Sequence, residues 1–144
     1  MTRTYRAKIK NDNGEHKKGD WVYGHYCELR DGAKLIPYIY GSGEVDGNTV
    51  SQAIGLKDKN GVEIYENDIV RAIYRSGYGG VTDRDFGTGV ITYHGDYYGG
   101  ASYHIDIIGE LGSRVFSASL EVEVIGNVYD NPEMLAVYQQ CSLF

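Results

Sequence analysis

Apolar and polar residues alternate with a period of two along much of the chain, and this alternation predicts β-strands. The first clear case covers residues 21–29. Asp31-Gly32 follows it and predicts a tight hairpin turn, because glycine accepts the left-handed backbone that such turns require. Residues 33–40 are then the returning strand. Pro37 has no N–H to donate, so we expect this strand to lie at a sheet edge or to carry a bulge.

The second half of the chain shows the same period. Residues 69–75, 88–94 and 102–108 are predicted as strands, the last two as partners in a hairpin. The longest clean alternation covers residues 120–129 and indicates one buried face and one solvated face. Residues 76–87, rich in glycine and tyrosine, are predicted as a loop.

Three segments carry turn or helix signals. Asn60-Gly61 suits a tight turn, and residues 49–56 fit either a helical turn or a strand. Asn131-Pro132-Glu133 resembles a helix start, since Asn caps well, Pro fits the first helical position and Glu favours the positive end of the dipole. This signal predicts a helix over residues 132–140.

Short strands separated by turns at intervals of roughly 8–12 residues are typical of sandwiches and small barrels. We therefore predict a mostly β fold, a small barrel or pseudo-barrel of short antiparallel strands with one short C-terminal helix. The length of 144 residues fits a single domain. Within it, residues 1–58 are a candidate N-terminal β subdomain, followed by an SH3-like small barrel over 59–131 and the helix.

Composition agrees with this fold, since the chain has 20 Gly and 14 Tyr but only 2 Pro. The net charge of −6 argues against general nucleic-acid binding, because phosphate contacts need lysine and arginine. The sequence shows neither an apolar run of about 18–20 residues nor a secretory h-region at its start, which predicts a cytoplasmic protein without membrane contact. In that compartment Cys27 and Cys141 are expected to be free thiols.

Motifs for catalysis or metal binding give little support to an enzyme. The sequence contains no GxxxxGK[ST], GxSxG or HExxH pattern. Asp58 opens a segment that superficially resembles a calcium loop, but Gly61 falls at position four instead of six, and Ile69 stands where the final glutamate is needed. His94, His104, Asp96 and Asp106 could form a metal cluster, although two ordinary histidines are the preferred interpretation. We predict no metal, no cofactor and no catalytic residue.

The densest aromatic segment contains Tyr93, Tyr97, Tyr98 and Tyr103. Tyrosine covers β cores, but it is also enriched in protein-binding surfaces and can stack on nucleobases. Core cover, protein or subunit contact and base stacking are therefore three open alternatives for these residues. These four residues are the candidate protein-contact surface.

Three segments carry a family resemblance. The run from Val45 to Val70, with Gly55-Leu56-Lys57-Asp58-Lys59-Asn60-Gly61 and Ile64-Tyr65-Glu66-Asn67-Asp68-Ile69-Val70, resembles the signature of the YopX family of phage and prophage proteins. Gly19-Asp20-Trp21-Val22-Tyr23-Gly24 is similar to the N-terminal motif of that family. Its closing motif is similar to the segment from Val124-Ile125-Gly126-Asn127 through Asn131-Pro132-Glu133-Met134-Leu135. The chain departs from the pattern at Ile54, where Thr is usual, and at Asn67, where Gly is usual.

The resemblance implies a mostly β protein encoded in phage or prophage DNA, and it implies no reaction. We expect the motif residues to have structural roles: Trp21, Gly55, Leu56, Asp58, Asn60, Gly61, Asp68, Gly126 and Asn127.

The leading hypothesis is an accessory protein that is not an enzyme and acts through protein contact, either by self-association or by binding a host or phage protein. The alternative is a nucleic-acid-associated small barrel, since residues 69–127 resemble the strand succession of an SH3-like barrel. That alternative needs a positive stripe, for which the candidates are Arg71, Arg75, Arg84 and Arg114.

Overall fold

The computed structural model describes residues 4–75, 83–94, 102–108, 113–115 and 120–135. The strands in this part are β1 (Tyr5–Lys8), β2 (Trp21–Gly24), β3 (Tyr26–Asp31), β4 (Lys34–Ile39), β5 (Gly43–Glu44), β6 (Ser51–Lys57), β7 (Glu63–Tyr65), β8 (Asp68–Tyr74), β9 (Arg84–His94), β10 (Ser102–Ile107), β11 (Ser113–Val115) and β12 (Leu120–Asn127). Short 3-10 turns cover Gly47–Thr49 and Pro132–Leu135. The prediction of a mostly β fold is confirmed.

The chain divides into two compact units, Met1–Gly55 and Leu56–Phe144. The first unit contains β1 to β5 and most of β6. In it β1 is the middle strand between β2 and β6, with antiparallel pairing on both sides. A second sheet has the order β3-β4-β5. The core of this unit consists of buried aliphatic residues contributed by several strands and connections: Ala7, Ile9, Val22, Ile39 and Val45.

The structure corrects two details of the first unit. The strand predicted over 21–29 is interrupted at His25, where the chain passes from β2 to β3, and Gly24 just before it has a φ of 151°. Pro37 lies in β4, the middle strand of its sheet and not an edge. This position is tolerated because β5 pairs only with Tyr38 and Ile39, and Pro37 needs only to accept a hydrogen bond from the Val45 N–H at 3.0 Å.

The second unit is built on an antiparallel sheet with the order β11-β10-β9-β8-β12. The register places one set of aliphatic residues on a common face, and these residues are buried: Val70, Ala72, Ile91, Ile105, Ile107 and Val122. The predicted hairpin of β9 with β10 is present. However, β9 begins at Arg84, so the last part of the loop predicted over 76–87 is strand.

Two predicted features of the second unit, the barrel and the C-terminal helix, are not shown by the residues that the structure describes. Closing a sheet into a barrel requires hydrogen bonds between its first and last strands. Among the residues described, β11 and β12 lie at opposite edges without pairing, and none of the sheets closes. The predicted helix over 132–140 begins as a tight 3-10 turn, in which the Met134 N–H donates to the Asn131 C=O at 3.1 Å. Residues 136–140 lie outside the described part.

Candidate functional site

Two tyrosines stand side by side at one end of the β9–β10 hairpin. Tyr93 lies opposite Tyr103 in the antiparallel register. Their ring centroids are 5.2 Å apart and their planes meet at 61°, an edge-to-face arrangement that aromatic rings favour. Tyr93 is 54% exposed and Tyr103 is half-buried. The pair therefore presents aromatic surface to solvent.

The buried core holds this pair in place. Ile91 and Ile105 lie two residues before Tyr93 and two residues after Tyr103, directly opposite each other on the same face, and both are fully buried. Burying one such side chain stabilises the fold by roughly 1.5–3 kcal/mol. Gly89 leaves room for the Ile105 side chain, because a Cβ there would lie 2.5 Å from Cγ2 of Ile105. The tyrosines thus continue a packed apolar face to the surface.

Of the four tyrosines in the predicted contact surface, the structure brings Tyr93 and Tyr103 together. Tyr97 and Tyr98 lie outside the described residues.

Two of the four arginines proposed as a positive stripe are bound to carboxylates. Nη2 of Arg71 lies 2.7 Å from Oδ2 of Asp85. Arg75 contacts two acids: its Nε lies 3.0 Å from Oε2 of Glu121, and its Nη1 lies 3.1 Å from Oδ2 of Asp83. These contacts neutralise both guanidinium groups locally.

The pKa directions agree with this pairing. The hydrogen bond from Arg71 lowers the pKa of Asp85, and the Gly87 N–H lowers it further. The hydrogen bond from Arg75 lowers the pKa of Glu121. Each arginine pKa is raised in turn, chiefly by the same hydrogen bonds. All these groups therefore stay ionised and paired near neutral pH.

The other two arginines lie on β9 and β11. The guanidinium carbon of Arg84 stacks over the Phe86 ring at 4.8 Å from its centroid. The backbone of Arg114 pairs with Ile105 as part of β11, and its side chain lies outside the described part.

A small recess of about 30 Å³ lies among charged side chains that include Lys59, Arg71 and Glu123. Nζ of Lys59 lies 3.1 Å from Oε2 of Glu123 and 3.7 Å from Oε1 of Glu121. The recess is far below the several hundred Å³ typical of sites for small molecules. It suits ordered water between ion pairs.

One of the histidines considered for a metal cluster is buried. His104 lies opposite Thr92 and two residues before Asp106, so these three share a face of the sheet. The Thr92 hydroxyl donates to Oδ2 of Asp106 at 2.9 Å. The side chain of His94 and the whole of Asp96 lie outside the described part. Within that part, no group of three or more His, Cys, Asp or Glu side chains could hold a metal.

Asp58 organises the turn that the sequence resemblance singled out. Oδ1 accepts from the N–H groups of Asn60 and Val62 at 2.8 and 2.9 Å, and Oδ2 accepts from the Val124 N–H at 2.9 Å. Burial raises the pKa of this carboxyl, but the hydrogen bonds from Val124, Val62 and Asn60 outweigh it, so the pKa is lowered. Gly61 completes the turn with a φ of 81°. Asp58 therefore ties the turn to β12.

The turn between β7 and β8 explains a departure from the family pattern. Asn67 has a φ of 69°, a left-handed conformation that Gly adopts readily and Asn tolerates best among the other residues. Its Nδ2 also donates to the Tyr129 hydroxyl at 3.0 Å. Next to it, the buried Asp68 accepts from the Tyr65 N–H at 2.8 Å. Asn67 thus replaces Gly without a large backbone cost.

The closing motif forms a second polar turn. Oδ1 of Asn127 accepts from the N–H groups of Tyr129 and Asp130 at 3.0 and 2.9 Å. Gly126 follows a register shift in β12, and a Cβ there would lie 2.5 Å from Oδ1 of Asn131. The role of Gly126 is therefore to admit the Asn131 side chain.

The N-terminal motif lies in the first unit. The Trp21 ring is contacted by two cations of β1, with Cζ of Arg6 at 4.8 Å and Nζ of Lys8 at 5.3 Å from its centroid. The sequence shows that Arg6 and Lys8 are two residues apart and so share a face of a strand. It does not show that this strand pairs with the strand of Trp21.

Gly55 has a φ of 86° within β6, and Leu56 beside it is 44% exposed.

Sequence reasoning also missed the outer part of the β3–β4 hairpin. All residues from 28 to 35 are exposed, including Leu29 at 48% and Leu35 at 50%. The sequence does show a short predicted strand in this region that carries both apolar and charged residues.

Among the residues described, no helix is long and apolar enough to span a membrane.

Comparisons with known proteins place the chain in a family. Among solved structures, it is similar to the crystal structure of protein EF1440 from Enterococcus faecalis, with 21% sequence identity, 94% of this chain and 99% of that chain covered, and a TM-score of 0.45. No curated protein matches. A family model described as YopX protein matches residues 4–136 and confirms the resemblance seen in the sequence motifs. The chain therefore belongs to the YopX family.

Proposed function

We propose that this protein acts by binding another protein through the aromatic surface of Tyr93 and Tyr103. The observation that carries the proposal is the edge-to-face pair itself, with Tyr93 54% exposed above a buried Ile91–Ile105 contact. Tyrosine is enriched at the centres of protein interfaces, where a rigid ring buries a large area at low entropic cost.

Charge suggests what the partner presents. Residues 56–144 carry 13 Asp and Glu against 6 Lys and Arg, a net charge of −7, whereas residues 1–55 carry 7 against 8, a net charge of +1. The lysine and two of the arginines described above are already paired with acids. A partner with a basic rim around an apolar pocket complements this unit.

We further propose that the protein works in the bacterial cytoplasm as an accessory protein of a phage or prophage, as the YopX resemblance implies. Its role in this proposal is adaptor or inhibitor of a host or phage protein, without a reaction of its own. The nucleic-acid alternative has less support, because Arg71 and Arg75 are bound by Asp85, Asp83 and Glu121.

The test compares tagged wild-type protein with Tyr93→Ala in pull-downs from host lysate, with nuclease added and recovery measured by mass spectrometry. Tyr40→Ala is the matched control, since Tyr40 is 75% exposed and lies in the other unit. We expect a partner whose recovery falls at least about tenfold with Tyr93→Ala and is unchanged with Tyr40→Ala, as for an interface hot spot. Equal recovery with all three proteins contradicts the proposal, and loss of every partner on nuclease treatment favours the nucleic-acid alternative.

A further inference from the structure

Within the described part of the chain, the outer half of the β3–β4 hairpin leaves backbone and apolar side chains exposed. In the part of the chain that is described, β3 pairs only with β4 and so forms one edge of its sheet. Residues 28–35 are exposed on both faces of the hairpin. Two strands alone are marginally stable in water, and an open edge invites another strand.

The phase of the hydrogen bonds shows which backbone groups face this open edge. The Tyr40 N–H donates to the His25 C=O at 2.9 Å, and hydrogen-bonded and non-bonded pairs alternate along an antiparallel ladder. Counting from His25, the odd-numbered residues of β3 therefore direct their N–H and C=O groups towards β4. The N–H and C=O groups of Glu28 and Arg30 therefore point to the open edge.

The charges on this edge are complementary to themselves. Glu28 and Arg30 lie two residues apart, so their side chains share a face of the strand, with Leu29 on the other face. Edge strands that are protected from association usually carry charges that repel a second copy. Here two opposite signs stand on the same face of one strand, so a second copy can match each charge with its opposite.

We propose that two copies of this chain associate through β3, antiparallel about a two-fold axis at Leu29, so that each Glu28 faces Arg30 of the second copy. In this register both Glu28–Arg30 pairs are hydrogen-bonded pairs, which exchange both of their N–H···O bonds. Two opposite-charge pairs then lie across the interface, and the sheet becomes continuous through both copies.

Two neighbouring registers also pair the backbone groups of β3 that point to the open edge, but they are less stable because they place like charges opposite each other. Moving the axis to Glu28 places the two Glu28 carboxylates opposite each other, and moving it to Arg30 does the same with the two guanidinium groups. Like charges directly opposite each other destabilise a strand pair. Of these three registers, only the axis at Leu29 gives opposite charges at both positions.

The same register covers apolar surface. Leu29 lies opposite Ile36 within the hairpin and opposite Leu29 of the second copy across the axis. The two-fold axis thus creates a row of four aliphatic side chains on one face. This interface lies in the first unit and uses neither Tyr93 nor Tyr103, so the inference does not rest on the proposed function and goes beyond it.

The first experiment exchanges the charges and measures the dimer by sedimentation equilibrium. The single variants Arg30→Glu and Glu28→Arg are each expected to weaken self-association at least about tenfold, because each creates two like-charge pairs. An equimolar mixture of the two variants is expected to restore a dimer, since positions 28 and 30 of one variant are both acidic and those of the other are both basic. Both positions are exposed, and unchanged circular dichroism checks that both variants fold.

The second experiment tests the register with a cysteine. Leu29→Cys, in a background of Cys27→Ser and Cys141→Ser, places two thiols in a non-hydrogen-bonded pair whose Cα atoms are about 4.5 Å apart, within reach of a disulfide. Leu35→Cys is the control because Leu35 is equally exposed but lies on β4, roughly 14 Å or more from its counterpart. We expect Leu29→Cys to form at least about tenfold more linked dimer under mild oxidation.

Three results would overturn the proposal: a wild-type protein that stays monomeric at high concentration, a dimer that Arg30→Glu leaves intact, or equal crosslinking of the two cysteine variants. Tyr93→Ala is expected to leave the dimer unchanged. A dimer lost with Tyr93→Ala and kept with Arg30→Glu would assign self-association to the tyrosine pair instead.

Discussion

The side chain of Asn131 occupies the space where a side chain on Gly126 would begin. A Cβ at position 126 would lie 2.5 Å from Oδ1 and 3.2 Å from Cβ of Asn131. Asn131 also donates its N–H to the Asn127 C=O at 2.9 Å and accepts from the Asn127 N–H at 3.2 Å. This contact fixes the chain where it leaves β12.

We expect Gly126→Ala to destabilise the fold by about 1–3 kcal/mol, because the added methyl group overpacks the site and displaces Asn131. In an Asn131→Gly background the same substitution should cost less than about 1 kcal/mol, since the obstructing side chain is gone. Denaturant unfolding of the four proteins measures this coupling. Gly47→Ala is the control, with its nearest contact at 3.4 Å. An equal cost in both backgrounds contradicts the explanation.

A second prediction concerns the left-handed residue of the β7–β8 turn. Asn67→Ala should be less stable than Asn67→Gly by about 1 kcal/mol, because both lose the bond to the Tyr129 hydroxyl but only Ala resists a φ of 69°. Tyr129→Phe removes the same hydrogen bond without touching the turn and serves as the control. Thermal and denaturant unfolding provide the comparison, and equal stability of the Ala and Gly variants would show that the turn carries no backbone strain.

Asp58 gives a pH-dependent prediction. Its folded pKa is lowered, so its contribution is fully present above the unfolded aspartate pKa of about 3.9 and is lost as the pH falls through the folded value. At pH 7, Asp58→Asn should cost roughly 1–3 kcal/mol, because an amide cannot accept from both sides of the turn.

The difference in unfolding free energy between wild type and Asp58→Asn should become smaller as the pH falls from about 4 towards the pH at which the protein unfolds in acid. Denaturant titrations at pH 7 and pH 3 measure it. The control is Asp31→Asn, at an exposed end of the β3–β4 hairpin. A difference that is the same at both pH values would mean that the charge of Asp58 is not what stabilises the turn.

The paired arginines predict weak nucleic-acid binding. We expect Arg71→Ala combined with Arg75→Ala to leave the affinity for DNA and RNA oligonucleotides unchanged, because their guanidinium groups already contact Asp85, Asp83 and Glu121. Fluorescence anisotropy at two salt concentrations measures the affinity. Asp83→Asn combined with Asp85→Asn removes two of these three carboxylates and should increase salt-dependent binding. A large loss of affinity in the double alanine variant would restore the nucleic-acid alternative.

Much of the fold could be predicted from local signals. Period-two alternation located the β9–β10 hairpin and β12, and Asp31-Gly32 located the turn of the β3–β4 hairpin, where Gly32 has a φ of 65°. The barrel and the C-terminal helix, by contrast, are not shown in the described part of the chain. A cap signal such as Asn131-Pro132 indicates that a turn begins, but it does not decide whether an α-helix follows.

The candidate site was predicted less completely. The tyrosine cluster was visible in the sequence, but the facing of Tyr93 and Tyr103 depends on the register of two strands. The arginine stripe looked available because the sequence does not show that Asp85 and Glu121 lie beside Arg71 and Arg75. The open edge of β3 was missed because an edge is defined by which strands do not pair.

The sequence by itself determined the strand periods, the turns that need glycine or asparagine, and membership of the YopX family, because each of these depends on residues close together in the chain or on an ordered set of motifs. Only the tertiary structure decided that no sheet closes among the described residues, that Asn131 fills the space above Gly126, and that Glu28 and Arg30 face an edge with which no described strand pairs. These features depend on contacts between residues distant in sequence, and loop closure and packing, not local propensity, select among the pairings that the pattern allows.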